Sequence, residues 1–306
     1  MSNMVVRTNV LALNSHRNLG NVSNAQARSS ARLSSGFRIN SAADDAAGLG
    51  ISENMRSQIR GLDQASRNSQ DAISLVQTAE GGLSTINEMI IRVRELTVQA
   101  ANDINTSEGA AGVGSNESNR ARIQGEINHL IDEIQRTATT LEFNSMSLLD
   151  GTFSGAGNEL FFQVGANANQ GITVELPNII TDVADALRTA FASPAFGAVT
   201  NDSSTGNVAT GDGASISALL DSVDAVLAAA TAARGTLGAI QNRLEFTIQN
   251  LDVSSENLSA SNSRIRDTDM ALEMMRLTQA NVLQQAATAM LAQGNQAPQS
   301  ILQLLG

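Results

Sequence analysis

Several side chains on which enzymes depend are missing from this chain of 306 residues. It contains no Cys, Trp or Tyr, and all 19 of its basic residues are Arg, because Lys is absent. Without Cys there is no thiolate nucleophile, disulfide or thiolate-bound metal. Without Lys there is no Schiff base and no phosphate-binding loop of the Lys-Ser/Thr type. The two histidines, His16 and His129, do not stand in a zinc-protease motif. These absences point away from an enzyme.

Two groupings of residues still permit a catalytic or metal-binding interpretation. Glu126-Ile-Asn-His129 has the Glu-x-x-His spacing of di-iron helix bundles, but such a site needs two copies and two further glutamates. Asp44 and Asp45 resemble paired catalytic carboxylates. Since Asp44 also completes a capping-box pattern with Ser41, the start of a helix explains both aspartates more simply. We predict no catalytic residue, no metal ligand and no cofactor.

Charge and hydropathy restrict the partners. The net charge is −11, with +4 in residues 1–60 and −10 in residues 141–260. An acidic chain with few aromatic side chains is a poor match for nucleic acid. The longest near-apolar run, 225–233, is shorter than the ~20 residues that span a membrane, and residues 1–20 lack a hydrophobic signal core. We predict no nucleic-acid partner, no membrane span and, if the protein is exported, a route other than ordinary secretion.

Apolar residues recur at helical spacing in both halves of the chain. Ile86, Ile90 and Val93 define one stripe, and a second runs from Ile123 to Leu141. A heptad series without Gly or Pro between Ala239 and Gln293 follows in the second half: Leu237, Leu244, Leu251, Leu258, Ile265 and Leu272. Such periodicity predicts long helices that pack nearly parallel in a coiled coil or bundle.

The centre of the chain has a different pattern. Residues 160–164 and 172–176 are rich in strand-forming residues and are separated by a Gly-bounded turn, which predicts a β-hairpin. The stretch 177–216 has a composition typical of an exposed excursion. The fold class is therefore mostly α: a long-helix coiled-coil bundle formed by the N- and C-terminal regions, with a small β-hairpin region and a short central insert.

Each end of the chain carries an apolar face but too few residues to bury it alone. Residues 272–305 are especially rich in Leu, Met, Val and Ile. Two alternatives follow from the residues. The ends pack on the body of the same subunit, or they become ordered only against neighbouring subunits, in which case the protein polymerises.

Motifs at both ends resemble those of bacterial flagellin. The stretch 33–52, LSSGFRINSAADDAAGLGIS, resembles the N-terminal signature of that family. The stretches 264–269 and 295–305 resemble its C-terminal signature, and 237–243 matches the family as well. Phe37, Gly50 and Gly294 are small departures from it. The resemblance covers about 1–176 and 217–306.

The resemblance implies a domain organisation and a set of partners. The terminal segments would form an inner coiled coil that is disordered in the free monomer, around which a helical bundle with hairpins is wrapped. The implied segments are 1–43, 44–176, 177–216, 217–261 and 262–306. Subunits would leave through the flagellar type III apparatus, bind an export chaperone at 261–305, meet hook-associated and cap proteins, and polymerise into an extracellular filament for swimming. The seam of polymerisation would contain Leu258, Ile265, Leu272, Leu283, Leu291 and Leu302.

Two alternatives to a filament subunit stay open at this point. A hook–filament junction protein shares the terminal architecture and differs in failing to polymerise by itself. An enzyme grafted into 177–216 is the other alternative, although that insert contains no His and only four acidic residues.

One local stretch resembles the part of flagellin that Toll-like receptor 5 recognises. It is Ile91-Arg-Val-Arg-Glu-Leu-Thr-Val-Gln99, and the corresponding positions here are Arg92, Leu96 and, from the facing helix, Glu126. We expect this flank to lie off the buried stripe, with Leu96 exposed on a free monomer. The alternative is a role in subunit packing, with Glu88 and Arg92 as an ordinary i,i+4 ion pair. Both roles are compatible.

Overall fold

The computed structural model describes residues 9–102, 119–155, 157–191 and 213–305. The helices are α1 (Val10–Ser35), α2 (Ala46–Ala101), α3 (Asn119–Thr140), α4 (Ala186–Phe191), α5 (Gly213–Arg266) and α6 (Met270–Leu305). The strands are β1 (Glu142–Phe143), β2 (Met146–Ser147), β3 (Leu160–Gln163) and β4 (Gly171–Val174). The predicted mostly helical fold with small hairpins is confirmed.

The chain divides into two compact units. The terminal unit comprises Met1–Arg60 and Ser254–Gly306, and the central unit comprises Gly61–Val253. Both divisions fall inside long helices, α2 and α5.

The core of the central unit is formed by α2, α3 and α5. Ile86, Ile90 and Val93 of α2 have no exposed surface, as their spacing predicted. The second predicted stripe supplies Ile127 and Ile134 of α3, which are equally buried. The α5 residues Val223, Leu237 and Leu244 complete the same cluster. The helical periodicity of the sequence therefore identified the centre of the buried face of each of the three helices.

Ion pairs at the surface join the helices of the central unit. Arg94 of α2 lies 2.7 Å from Asp224 of α5, and Glu80 of α2 lies 2.6 Å from Arg234 of α5. Because numbers rise along α2 as they fall along α5, the two helices are antiparallel. Their side chains are about a third to a half exposed, so solvent screens each pair and its contribution to stability is small.

Two hairpins follow α3. The predicted hairpin is present as antiparallel β3 and β4, with Leu160 opposite Val174. A shorter hairpin of β1 and β2, which the sequence did not reveal, turns through Asn144 and Ser145, both with positive φ. Leu141, between α3 and β1, packs against Gly82 of α2, where any larger residue would collide with its side chain.

The first part of the predicted insert is buried. A π-helical segment, Ile180–Asp185, leads directly into α4, and Ile179, Val183 and Leu187 pack into the core of the central unit. The expectation of an exposed excursion is therefore wrong for 179–191, because its apolar residues recur every four positions and share one helix face, which is buried. Residues 192–212 lie outside the described part of the chain.

Helix α5 meets a criterion that the sequence reading had not applied. By length and composition alone, Ile216–Arg266 is apolar enough to cross a membrane. The prediction of no span considered only unbroken apolar runs and overlooked this Ala-rich helix. Val226 and Ala230 of the same helix belong to the core cluster, and 22% of its most apolar window is buried.

Both long chain segments of the terminal unit are interrupted at the same place. Gly36, with a φ of +75°, ends α1, and Phe37 forms an antiparallel bridge with Asp267. The Arg266 guanidinium stacks on the Phe37 ring at 4.7 Å. Asp269 then caps α6 by accepting hydrogen bonds from the backbone of Ala271 and Leu272. The heptad series therefore does not continue from Ile265 to Leu272 in one helix.

The start of α2 also differs in detail from the capping-box prediction. The Asp44 carboxylate accepts hydrogen bonds from the backbone N–H and the hydroxyl of Ser41 and closes the turn before the helix. Asp45 is the residue that caps α2, because its side chain accepts from the backbone N–H of Gly48 at 2.9 Å. Both aspartates serve the chain turn, as the simpler interpretation held.

Candidate functional site

Inside the terminal unit, α1 and α6 are joined by polar contacts. The side-chain amide of Asn9 donates to the Gly294 carbonyl at 2.8 Å. Gln26 donates to the Asn281 side chain, also at 2.8 Å. These contacts show that the two helices are antiparallel, because residue numbers rise from Asn9 to Gln26 as those of their partners fall from Gly294 to Asn281.

Glu273 occupies the centre of this polar contact. Only 3% of it is exposed, and one carboxylate oxygen accepts a hydrogen bond from the Ser29 hydroxyl at 2.6 Å. Arg276 lies 3.2 Å from the other oxygen, and Arg32 lies 3.9 Å from the first. The Ser29 hydrogen bond, followed by the Arg276 contact, holds the pKa of Glu273 below its ordinary value despite the burial. The sequence reading did not single out this residue.

The side of α6 that faces α1 has a heptad pattern of small and polar residues. Glu273, Ala280 and Gly294 are buried at spacings of seven and fourteen, and Leu277 and Leu291 beside them are half-buried. Among the described residues of the terminal unit, the buried apolar side chains are Ile39 and Ala280. The contact therefore covers Leu277 and Leu291 in part and leaves the other large apolar side chains of the described part of α6 exposed.

Those larger side chains form a separate exposed surface on α6. At ~100° per residue, this surface is centred about 120° round the helix from the face that contacts α1. We call it the outer stripe, and it consists of Leu272, Met275, Val282, Leu283 and Met290, which are 42–62% exposed. The exposed Gln279 lies at the same angle, between Met275 and Val282. An exposed, largely apolar surface of this kind on a helix marks a site for another protein chain.

The predicted seam residues do not share one surface. Leu272 and Leu283 belong to the outer stripe, whereas Leu291 lies on the α1 side of α6. Leu258 and Ile265 are half-buried residues of α5, on the other side of the helix break. The side chain of Leu302 lies outside the described residues.

The predicted receptor residues of the central unit are only partly accessible. Arg92 of α2 donates to the Glu126 carboxylate of α3 at 2.9 Å and to Glu95 at 3.1 Å. The hydrogen bond to Glu126 is the main cause of a raised pKa of Arg92. Leu96 is 1% exposed, so the expectation of an exposed Leu96 is wrong. Its position on the edge of the α2 stripe is covered once α3 packs there.

Other features of this region also differ from expectation. Arg92 pairs with Glu95 and Glu126, and among the residues that the structure describes Glu88 makes no ion pair. In the Glu-x-x-His pattern, Glu126 is engaged by Arg92. The described residues contain no group of three or more His, Asp or Glu side chains that could hold a metal ion.

Comparisons with known proteins agree on one family. Residues 6–154 match the bacterial flagellin N-terminal helical region, and residues 220–305 match the bacterial flagellin C-terminal helical region. The chain is 46% identical to a flagellin of Halalkalibacterium halodurans over 302 residues, which cover 99% of this chain and all of that protein. The chain belongs to the bacterial flagellin family.

Other relatives extend the comparison. A flagellin of Bacillus subtilis is 46% identical over 314 residues, again across 99% of this chain and all of that protein. The structure of a putative flagellar hook-associated protein from Vibrio parahaemolyticus covers 73% of this chain and all of its own, with a TM-score of 0.56 and 14% identity. At that identity, the likeness shows the fold alone.

Family membership confirms several predictions made from the sequence. This flagellin is a structural, non-enzymatic subunit of the extracellular flagellar filament, which polymerises from copies of itself and serves motility. The resemblance noted at residues 33–52 and at the C-terminal motifs therefore identified the family correctly.

The buried carboxylate of Glu273 predicts an acid sensitivity of flagellin filaments. Because the pKa of Glu273 is lowered, its charged form stabilises the α1–α6 contact fully when the pH is above the ordinary Glu pKa of ~4.3. This stabilisation is lost as the pH falls through the lower pKa of Glu273 in the folded unit. We expect Glu273→Gln to weaken filaments at neutral pH and to make the remaining stability less dependent on pH below about 5. Pelleting of filaments across a pH series measures both effects.

The exposed Glu256 of the same unit provides the control. Glu256→Gln should leave the pH profile of pelleting close to that of the unaltered protein. A Glu273→Gln filament with an unchanged profile would show that acid acts on other groups.

Proposed function

We propose that this flagellin polymerises through the outer stripe of α6, which docks on terminal helices of neighbouring copies. The observation that carries the proposal is that two sides of α6 differ in composition and in contacts. Polar and small residues contact α1 of the same chain, while Leu272, Val282 and Leu283 stay uncovered. Because filament subunits are identical, the natural occupant of this surface is a second copy of the chain.

Assembly would stabilise the terminal helices, because it buries apolar side chains that stay exposed in the free subunit. Burial of a Val, Leu or Met side chain contributes ~1.5–3 kcal/mol, and the α1–α6 contact within the chain obtains little of it. Neighbouring copies supply the missing apolar partner. This contact builds an open helical polymer when it is head-to-tail and does not close into a ring.

A charge on the outer stripe tests the proposal. Val282→Asp should raise the critical concentration for polymerisation at least about tenfold, because a carboxylate would have to be buried in the contact. Gln285→Asp adds the same charge on another side of the same helix and should have a much smaller effect. Both residues are exposed, so helix content of the free subunit should not change. Sedimentation after seeded growth measures the critical concentration.

Equal critical concentrations for the two variants would contradict the proposed seam. Filament growth from each variant on seeds of the unaltered protein separates a defect in the contact from a defect in nucleation. The same measurement addresses the hook–filament junction alternative, since a protein of that class would not elongate into long filaments by itself.

The partners of the free subunit follow from the same surface. An export chaperone that binds 261–305 would cover the outer stripe before assembly, which is supported by the exposure of Met275, Val282 and Met290. At the end of the filament where the stripe is free, a hook-associated or cap protein would meet the stripe itself, and at the other end its counterpart would meet the surface on which the stripe docks. These contacts would compete with addition of a further flagellin subunit.

Recognition of the monomer by Toll-like receptor 5 is proposed for the pair Arg92 and Glu126. Both side chains are about half exposed and together bridge α2 and α3 at the surface. Leu96 supports this pair from the core beneath and is not itself accessible.

A receptor reporter assay on monomeric protein tests the Arg92–Glu126 contact. Arg92→Ala and Glu126→Ala should each reduce receptor activation about tenfold or more, as loss of a charged interface contact does. Arg94→Ala is the matched control, because Arg94 is similarly exposed and also pairs with a neighbouring helix, through Asp224. Equal responses of the three variants would exclude a specific role for the pair.

A further inference from the structure

The composition confines side-chain oxidation to one type of residue. The chain has no Cys, Trp or Tyr, so its nine methionines are the side chains that peroxides oxidise most readily. Among those that the structure describes, Met55, Met89 and Met146 are half-buried. The others are exposed and all lie on α6: Met270, Met274, Met275 and Met290.

Two of the exposed methionines lie in the outer stripe. Met275 is 62% exposed and Met290 is 59% exposed. Met274 is 51% exposed, but at ~100° per residue it faces away from the stripe. Oxidant in solution therefore reaches Met274 and Met275 about equally, whereas only Met275 belongs to the apolar surface.

We propose that Met275 and Met290 are oxidation sites that block incorporation of free flagellin subunits into the filament. This inference rests on the proposed role of the outer stripe. Hydrogen peroxide is the oxidant: the thioether sulfur attacks one peroxide oxygen, the O–O bond breaks and water leaves. The sulfur is oxidised to a sulfoxide by two electrons, and the peroxide is reduced.

The sulfoxide changes the chemistry of the stripe. A flexible apolar thioether becomes a polar group, which loses its favourable burial and requires a hydrogen-bond partner in the contact. The free subunit is affected little, because neither sulfur is part of a buried core. Once a subunit is in the filament, the contact covers both methionines, so an assembled filament is protected from the modification that disables its free subunits.

The first test treats unaltered monomer and preformed filaments with the same dose of hydrogen peroxide. Peptide mass spectrometry should show sulfoxide at Met275 and Met290 in the monomer and at least about fivefold less in the filament. The oxidised monomer should show a critical concentration raised about tenfold or more, and treatment with methionine sulfoxide reductases should restore it.

Variants connect the effect to particular sulfurs. Met275→Leu combined with Met290→Leu should polymerise normally and should continue to do so after peroxide treatment. Met275→Gln, which imitates the polarity of the sulfoxide, should impair growth without any oxidant, whereas Met274→Gln should not. Circular dichroism of each free subunit verifies that helix content is retained.

Specific results would overturn the inference. Full oxidation of Met275 and Met290 with an unchanged critical concentration would do so, as would equal sensitivity of the double Leu variant to peroxide. If the outer stripe is not the polymerisation contact, Val282→Asp would polymerise as well as Gln285→Asp, so that failure is recognised separately. If Val282→Asp blocks growth while oxidised monomer grows normally, the seam stands and the oxidation proposal fails.

Discussion

A flagellin lacking residues 272–306 should form no filaments while its central unit stays helical. The deletion removes the whole outer stripe and the partner that α1 contacts through Ser29 and Gln26. The central unit, Gly61–Val253, loses none of its residues, and its core cluster runs from Ala72 to Leu244. Seeded growth followed by electron microscopy tests assembly, and circular dichroism tests the helical content.

The full-length chain under the same salt and seed conditions is the control for the deletion. The two proteins should show the same thermal transition for the central unit, because the deleted residues contribute nothing to that core. Filaments grown from the truncated protein would contradict the terminal-helix mechanism. A truncated protein without the thermal transition would instead show that the central unit depends on residues outside it.

Substitution of Ile90 by Ala should destabilise the central unit by ~2–5 kcal/mol. Ile90 lies on the stripe of α2 and has no exposed surface, so its truncation removes buried methyl and methylene groups and leaves a cavity. For a domain that unfolds with a total of ~5–15 kcal/mol, this loss is a large fraction of the stability. Denaturation by guanidinium chloride, followed by circular dichroism on monomeric protein, measures the loss.

The adjacent residue provides a matched control for the Ile90 substitution. Ile91 is 46% exposed, so Ile91→Ala makes the same chemical change on the solvent side of the same helix turn. We expect its effect to stay within about 0.5 kcal/mol. Equal losses for the two variants would mean that the α2 stripe does not carry the core of this unit.

The Ile90→Ala and Val282→Asp experiments distinguish two kinds of apolar surface in one protein. Ile90 is covered by α3 and α5 of its own chain, and its loss should appear in the stability of the monomer. Val282 has no such cover, and a charge there should leave the monomer unchanged and appear only in assembly. A filament subunit needs both kinds of surface. One is buried when the chain folds, and the other stays exposed until a neighbouring copy covers it.

The sequence by itself determined the class of the protein and the faces of most helices. The missing Cys and Lys pointed away from an enzyme, and the motifs at both ends identified the flagellin family. The spacing of Ile86, Ile90 and Val93 was enough to place a buried stripe on α2. These features are local, because side chains three or four residues apart share a helix face whatever the chain does elsewhere.

Only the tertiary structure decided which of two apolar faces the chain covers with its own residues. The pattern of α6 allows contact through Leu272 and Leu283 or through Leu277 and Leu291, and α1 selects the second through Ser29, 244 residues away from Glu273. In the same way, Leu96 was expected at the surface and is covered when α3 packs against α2. Periodicity describes one helix at a time, whereas burial depends on a partner that is distant in the chain and on the polar contacts that fix its register.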